Sequence, residues 1–130
     1  MPQRILIHQG DAFVGRQGLT YLAGLTGETV GSRNISMTVA TLPPGARAKA
    51  HRHDRIETAV YVIEGRAAMV YGPRLEHRVE AAAGDYCYVP AGMPQVVFNP
   101  FDLPCRAVVA HTSASDQDGI VLMPELDAML

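Results

Sequence analysis

The sequence has 130 residues, of which 48% are hydrophobic and 18% are charged, and its formal net charge is −2. This length fits one domain with its own core, the composition excludes an intrinsically disordered chain, and the small negative charge argues against nucleic acid or an anionic membrane as a partner. The first residues show no signal peptide, no stretch is apolar enough to span a membrane, and Cys87 and Cys105 form neither a disulfide framework nor a C-x-x-C pair, so we expect a cytoplasmic protein.

Residues 1–34 are rich in glycine and show no clear periodicity. We expect one or two short strands here, at the edge of the fold. From residue 35 onward the pattern becomes regular, and we assign residues 35–130 to the main domain.

Short strands between turns account for most of this domain. Ile35, Met37 and Val39 alternate with polar residues in a strand that ends at a Pro-Pro-Gly turn. β-Branched and aromatic residues between Gly and Pro breakers predict further strands at 58–65, 66–73, 85–92, 95–99 and 106–111. A short strand and one helical turn after Pro124 close the chain.

One segment, RLEHRVEAAAG, fits two structures. Leu75, Val79 and Ala82 have helical spacing, with Pro73 before them and Gly84 after them, as at the two ends of a helix. We predict a turn followed by a strand, because short hairpins surround this segment. Some seven to ten short strands in total predict a single all-β domain, a sandwich or a barrel.

Two histidines and a carboxylate form the first candidate site. His51 and His53 are one residue apart, so on a strand both imidazoles point to the same face. Glu57 follows at the start of the next predicted strand. Two histidines and one carboxylate suit a divalent transition metal, although H-x-H-x-x-x-E alone is a weak signal. The other histidines have simpler interpretations: His8 and His77 as solvated side chains, and His111 as a residue at the mouth of a pocket.

A second motif follows downstream and strengthens this interpretation. Residues 84–99 fit the pattern G-x5-P-x-G-x2-(ligand)-x3-N, and residues 45–65 fit its usual partner, with 18 residues between the two. Together they resemble the signature motifs of the cupin superfamily over about residues 35–112. The resemblance implies a double-stranded β-helix, the jelly-roll barrel. Within the superfamily, the sequence resembles the small single-domain bacterial cupins.

The resemblance also implies a ligand set for one divalent metal ion, with zinc, manganese, nickel and iron all open. Carried over, the ligands are His51, His53, Glu57 and the residue at the second-motif histidine position, which here is Gln95. Seven residues separate Glu57 from Gly65 where six are typical, so that spacing alone would put Thr58 in the glutamate position. A bulge would return Glu57 to the inside. We favour Glu57, because threonine is a poor metal ligand.

Gln95 departs from the pattern and leaves three alternatives. Its side-chain oxygen can be the fourth ligand; it can hydrogen-bond to bound water or substrate beside a two-histidine, one-carboxylate site; or the site has lost useful metal affinity.

Strand parity predicts which other side chains line the barrel. Tyr61 shares the face of Glu57, Val97 shares the face of Gln95, and either Met69 and Tyr71 or their neighbours face inward. With His111 these residues form the predicted substrate pocket, although plain core packing explains any one of them.

Three functions are compatible with this sequence. The first is a metal-dependent enzyme for a small molecule, an isomerase or lyase or else a dioxygenase, with Glu57 as a proton carrier. The second is a non-catalytic protein that binds or senses a metal or a small molecule. The third is an interaction module with a vestigial site. The resemblance further implies a homodimer, in which residues 1–34 act as an arm toward the partner.

Overall fold

Two antiparallel sheets face each other in the computed structural model, which describes residues 4–130. The strands are β1 (Ala12–Val14), β2 (Thr20–Leu25), β3 (Ser36–Leu42), β4 (His51–His53), β5 (Thr58–Glu64), β6 (Arg66–Tyr71), β7 (His77–Ala82), β8 (Tyr86–Val89), β9 (Gln95–Phe98), β10 (Cys105–His111) and β11 (Ile120–Leu122). One sheet has the order β1-β2-β3-β10-β5-β8 and the other the order β11-β4-β9-β6-β7. This is the predicted all-β jelly-roll architecture.

The local predictions are largely confirmed. The ambiguous segment forms strand β7, because its residues pair with β6 from Arg66 to Tyr71. The chain ends in β11 and a single helical turn, α2 (Pro124–Asp127). One element was not predicted, the short helix α1 (Gly27–Val30). Its N-terminus is capped by Thr26, which forms a capping box with Thr29. Neither helix of residues 4–130 is long or apolar enough to cross a membrane.

The N-terminal part contributes two strands to the six-stranded sheet. β1 lies at its edge, and β2 pairs with β3. β2 also reaches the interior, since Tyr21 is buried between the sheets. Residues 1–3 of the predicted dimer arm lie outside the described residues.

The six-stranded sheet has an unusual distribution of polar and apolar side chains. In β3 the polar Ser36 and Thr38 are buried, whereas Met37 is exposed. In β5, likewise, Thr58 is buried and Tyr61 is exposed. The sheet therefore presents apolar residues to solvent as well as to the core.

We call these solvent-facing residues the outer face. Register places them in two uncharged rows, each crossing five strands. The rows are Leu25, Met37, Ala110, Ala59 and Tyr88, and beside them Leu22, Val39, Val108, Tyr61 and Tyr86.

The core between the sheets is built mostly from small and medium-sized residues. Its main cluster contains Leu19, Leu42, Val62 and Cys105 together with several alanines. Asn99, from the second motif, is fully buried and its amide donates hydrogen bonds to the carbonyls of Leu42 and Leu103 at 2.9 and 2.8 Å. The motif asparagine therefore fixes a turn. Both cysteines are free.

Candidate functional site

An internal cavity of about 100 Å³ lies between the two sheets. Aliphatic side chains, many of them alanines, line most of it. Its polar lining comes mainly from five buried residues: His51, His53, Thr58, Gln95 and His111. A polar cluster inside an apolar barrel is costly unless each member has a hydrogen-bond partner.

His51 and His53 enter the cavity from β4, as the one-residue spacing predicts. Each is only 4% exposed, and their ring centres are 5.2 Å apart. The His51 Nδ1 atom lies 2.7 Å from the carbonyl oxygen of Lys49. Because a carbonyl only accepts, Nδ1 donates, which leaves Nε2 of the neutral ring with a free lone pair.

The second motif brings Gln95 beside these histidines. Gln95 is directly opposite His51 in the β4–β9 pairing and is also buried. The preceding turn is tied to the first motif, since the Gly92 amide donates to the His53 carbonyl at 2.8 Å. The two motifs therefore meet at one place in the barrel.

The facing sheet adds His111 and Thr58. They are opposite each other in the β5–β10 pairing, and Ser36 is opposite His111 on the other side. The ring centre of His111 is 4.9 Å from that of His53. Three imidazoles from two sheets therefore share one end of the cavity.

Several buried polar atoms here have no hydrogen-bond partner within residues 4–130. Three of them belong to residues that line the cavity: Nδ1 of His53, Nδ1 of His111 and the hydroxyl oxygen of Thr58. Unpaired polar atoms are rare in protein interiors, because each costs about 1–3 kcal/mol. Their concentration around one cavity indicates that it receives a polar ligand.

The histidines are held in their neutral form. Burial lowers the pKa of His51 to about 4, against a smaller opposing effect of the Lys49 carbonyl. Burial, with the neighbouring His53 and His51, lowers the pKa of His111 to about 4. Burial also lowers the pKa of His53, while a hydrogen bond to the backbone of Asp118 and the charge of Asp116 oppose this decrease. All three rings are therefore available as uncharged nitrogen donors near neutral pH.

A family model of the cupin domain matches residues 38–111, more than half of the chain. The chain belongs to the cupin family. No curated protein matches this cupin significantly.

Solved structures with the same fold include proteins of several kinds. A variant of Bacillus subtilis oxalate decarboxylase has 25% sequence identity and a TM-score of 0.71, over 90% of this chain and 31% of that one. The cupin described here thus spans about a third of that enzyme's length. A cupin 2 conserved barrel domain protein from Salinispora arenicola has 22% identity and a TM-score of 0.67, over 80% of this chain and 82% of that one. A putative sugar phosphate isomerase from Acidithiobacillus ferrooxidans has 21% identity and a TM-score of 0.64, over 78% of this chain and 66% of that one.

The structure differs from the prediction at Glu57. β5 begins at Thr58, and its register with β10 is unbroken from Thr58 to Val62; the bulge lies at the other end, opposite Arg106 and Ala107. The local bulge that would turn Glu57 inward is therefore not formed. Glu57 is exposed, and its carboxylate accepts a 2.6 Å hydrogen bond from the Tyr88 hydroxyl outside the cavity. Thr58 lines the cavity instead, and Glu57 does not.

Because side chains alternate along β5, Tyr61 also lies outside the predicted pocket. It is 39% exposed and packs against Tyr86 on the outer face, with ring centres 4.8 Å apart. Met69, Val97 and His111 do line the cavity. Tyr71 lies outside it, in a cleft beside β7 and β8 that Met69 also reaches.

Three cavity residues, Gln17, Leu19 and Tyr21, come from residues 1–34, where the sequence shows no clear periodicity. Gln17 and Tyr21 line the cavity and are joined by a 2.5 Å hydrogen bond. Burial and the nearby charge of Asp116 raise the pKa of the Tyr21 hydroxyl, so it stays protonated. Alternation of Leu19 and Tyr21 was the available signal, but it is too short to assign a strand face.

The donors fit a divalent transition metal in kind. Neutral imidazoles with unpaired Nδ1 atoms and an amide oxygen are suitable ligands. No group of three or more His, Cys, Asp or Glu side chains in residues 4–130 is arranged to hold a metal ion as it stands. Metal binding would therefore require the imidazole rings to turn toward one point.

Proposed function

We propose that this cupin binds a small oxygen-bearing molecule inside its barrel, at one divalent metal ion held by His51 and His53 with Gln95 beside them. The reaction class is that of an isomerase or lyase, or of a dioxygenase if the ion is iron. One observation carries this proposal: buried, neutral and partly unpaired nitrogen donors lie together at one end of an otherwise apolar cavity.

The size and lining of the cavity support a small ligand. Sites for drug-sized molecules have volumes of about 300–1,000 Å³, whereas this cavity has about 100 Å³. The aliphatic walls would contact the carbon atoms of the ligand, and the polar end would contact its oxygens. Burial of the whole site would exclude water from the reacting groups.

The histidines and Gln95 supply binding and orientation. A bound divalent ion would polarise a carbonyl or stabilise an enolate, and as iron(II) it could activate dioxygen. The Lys49 carbonyl fixes the His51 ring so that Nε2 is the free donor. The Gln95 amide can both donate to and accept from a ligand oxygen.

Similarity to oxalate decarboxylase is consistent with this proposal. That protein shares the fold over 90% of this chain, and its name indicates a small, oxygen-rich substrate. The present chain matches 31% of it, so the choice of substrate remains our proposal and is not inherited from the relative.

Metal analysis and thermal unfolding test the proposal together. The chain, purified without added metal, should contain one equivalent of a divalent transition metal or take it up on addition, with a rise in melting temperature that a chelator reverses. Replacing both His51 and His53 with alanine should abolish the rise. Less than about 0.1 equivalent of metal and no change in melting temperature would contradict the proposal.

A non-catalytic ligand-binding or sensing role is the second candidate. It is favoured by the lining of the cavity, where the described residues include no carboxylate to act as a general base. Incubation of the metal-loaded protein with small hydroxy acids, keto acids and sugar phosphates, followed by NMR, distinguishes the two. Ligands that raise the melting temperature but are never converted would favour binding alone.

A further inference from the structure

We infer that His111 takes the place of the missing carboxylate, so that the metal site of this chain consists of three histidines, His51, His53 and His111, and selects small anions as ligands. This inference rests on the proposed function, because it concerns the same cavity.

Neither of the two residues expected to supply the oxygen ligand does so. Glu57 lies outside the cavity, bonded to Tyr88. Moving it inward would require a one-residue slip of β5, which would also turn Thr58 and Val62 out of the core. Thr58 does face the cavity, but a neutral hydroxyl is a poor ligand for a transition metal.

His111 lies at the same end of the cavity as Thr58, His51 and His53. It is the cross-strand neighbour of Thr58, one strand away in the same sheet. Like His51 and His53, it is only 4% exposed and lines the cavity. A histidine here can therefore replace an inward-facing residue of β5.

The ring separations agree with a shared ion. Two imidazoles that bind one tetrahedral ion at about 2.1 Å have ring centres about 5 Å apart. The observed separations are 5.2 Å for His51 and His53 and 4.9 Å for His53 and His111. These two separations match such a site, and the ring orientations must change for the three nitrogens to meet at one ion.

One ring nitrogen of His53 and one of His111 have no hydrogen-bond partner in the described chain. In both rings this nitrogen is the buried Nδ1 atom. A histidine kept only for packing would ordinarily be paired with a protein group. An incoming ligand is therefore the partner that satisfies them.

The ligand set determines what else can bind. Three imidazoles and the Gln95 amide carry no charge, so a divalent ion here would keep its full positive charge inside a poorly solvated cavity. Asp116 and Asp127 act on the histidines from a distance but do not line the cavity. An anionic ligand, such as a carboxylate or an enolate, supplies the charge balance that Glu57 does not.

Cobalt(II) titration of the full-length chain, followed by visible absorption and calorimetry, tests the assignment of His111. His111→Ala should weaken cobalt binding by at least about tenfold, since even loss of a residue that only supports a ligand typically costs 10–100-fold. The matched control is Glu57→Gln, which should bind cobalt as the unaltered chain does. Circular dichroism in chelator checks folding, and His111→Leu replaces His111→Ala if the latter is unfolded.

Thr58→Glu provides the opposite change. It places a carboxylate inside the barrel, next to His111, and should tighten cobalt binding. Unchanged affinity in a folded His111→Ala or His111→Leu variant would overturn the assignment of His111 and leave the proposed function standing. Failure of the unaltered chain to bind cobalt or zinc would overturn the proposed function itself.

Acetate and its neutral analogue acetamide test the selection of anions. Acetate should change the absorption spectrum of the cobalt-loaded chain, and acetamide at the same concentration should not. In Thr58→Glu the acetate effect should be weaker, because the introduced carboxylate already balances the charge. Equal responses to acetate and acetamide would contradict the charge argument.

Discussion

Glu57 and Thr58 are adjacent in sequence, yet their side chains lie on opposite sides of the six-stranded sheet. The Thr58 hydroxyl is buried at the cavity without a hydrogen-bond partner in the described chain, whereas the Glu57 carboxylate is bonded to Tyr88 outside it. The residue that can bind a metal is thus excluded from the cavity, and the residue that faces the cavity is a weak ligand. This relationship gives the site its unusual, uncharged composition.

Thr58→Val should stabilise the metal-free protein by about 1 kcal/mol or more. It keeps the side-chain shape and removes a buried hydroxyl that has no partner. Urea unfolding in the presence of chelator measures the change. Thr41→Val is the matched control on β3, because its hydroxyl donates to the Thr20 carbonyl at 3.4 Å and its removal should bring no gain. Destabilisation by Thr58→Val would show that its hydroxyl has a partner.

Stability of the metal-free protein should fall as the pH is lowered from about 6.5 to about 4. In this range the unfolded chain binds protons at His51 and His111, while the folded chain resists them because burial lowers both pKa values to about 4. The unfolded state binds more protons, so stability rises with pH through this window and is complete above about 6.5. The effect is on the order of 3 kcal/mol for each histidine.

Urea unfolding between pH 7.5 and 4.5 measures this dependence. His111→Asn should make the slope shallower, since it removes one of the two groups. His77→Asn, at an exposed position of β7, is the matched control. If the free energy of unfolding had the same slope against pH in the unaltered chain and in His111→Asn, the pH dependence would not come from the buried His111.

Gln95→His tests the second-motif position. Gln95 is paired with His51 across the strands and lines the same cavity. If the amide oxygen coordinates the ion, a histidine at this place should tighten zinc binding, because imidazole is the better ligand for late transition metals. Calorimetric titration with zinc measures it. An unchanged affinity would mean that Gln95 does not contact the ion and instead hydrogen-bonds to the bound molecule.

Gly65→Ala should destabilise the protein far more than Gly84→Ala. Both glycines have positive φ, +76° and +97°, which strains any other residue. A Cβ at Gly65 would also overlap the Pro104 carbonyl, whereas a Cβ at Gly84 would meet nothing within 4 Å. Melting temperatures of the two variants measure the losses. Gly84→Ala reports the cost of the strained φ alone, and Gly65→Ala reports that cost together with the overlap with the Pro104 carbonyl. Similar losses would mean that the turn at Gly65 can shift at little cost.

The outer face leads us to propose a homodimer. Its two uncharged rows cover five strands, and apolar patches of this kind usually mark a protein interface. A second copy of the chain offers a surface of the same uncharged character and twist. Light scattering at micromolar concentration should give the mass of a dimer. Tyr61→Lys should shift it toward the monomer, and Leu103→Lys, an exposed loop position elsewhere, should not. A monomeric unaltered chain would contradict this proposal.

Much of the architecture could be predicted from the sequence because it depends on local patterns. Short β-rich segments between Gly and Pro gave the strands, including β7, and two spaced motifs indicated a jelly-roll. His51 and His53 share a face for the same local reason, since side chains alternate along a strand. These features depend on residues close together in the chain.

The composition of the site was decided by tertiary structure. Which of Glu57 and Thr58 faces inward depends on the register of β5 against β10, a strand some 50 residues later in the sequence. His111 lies opposite Thr58 and near His53 only because the two sheets close on each other. The sequence alone therefore determined the strands and the first-motif histidines, whereas cross-strand pairing over long separations selected the side chains that meet in the cavity.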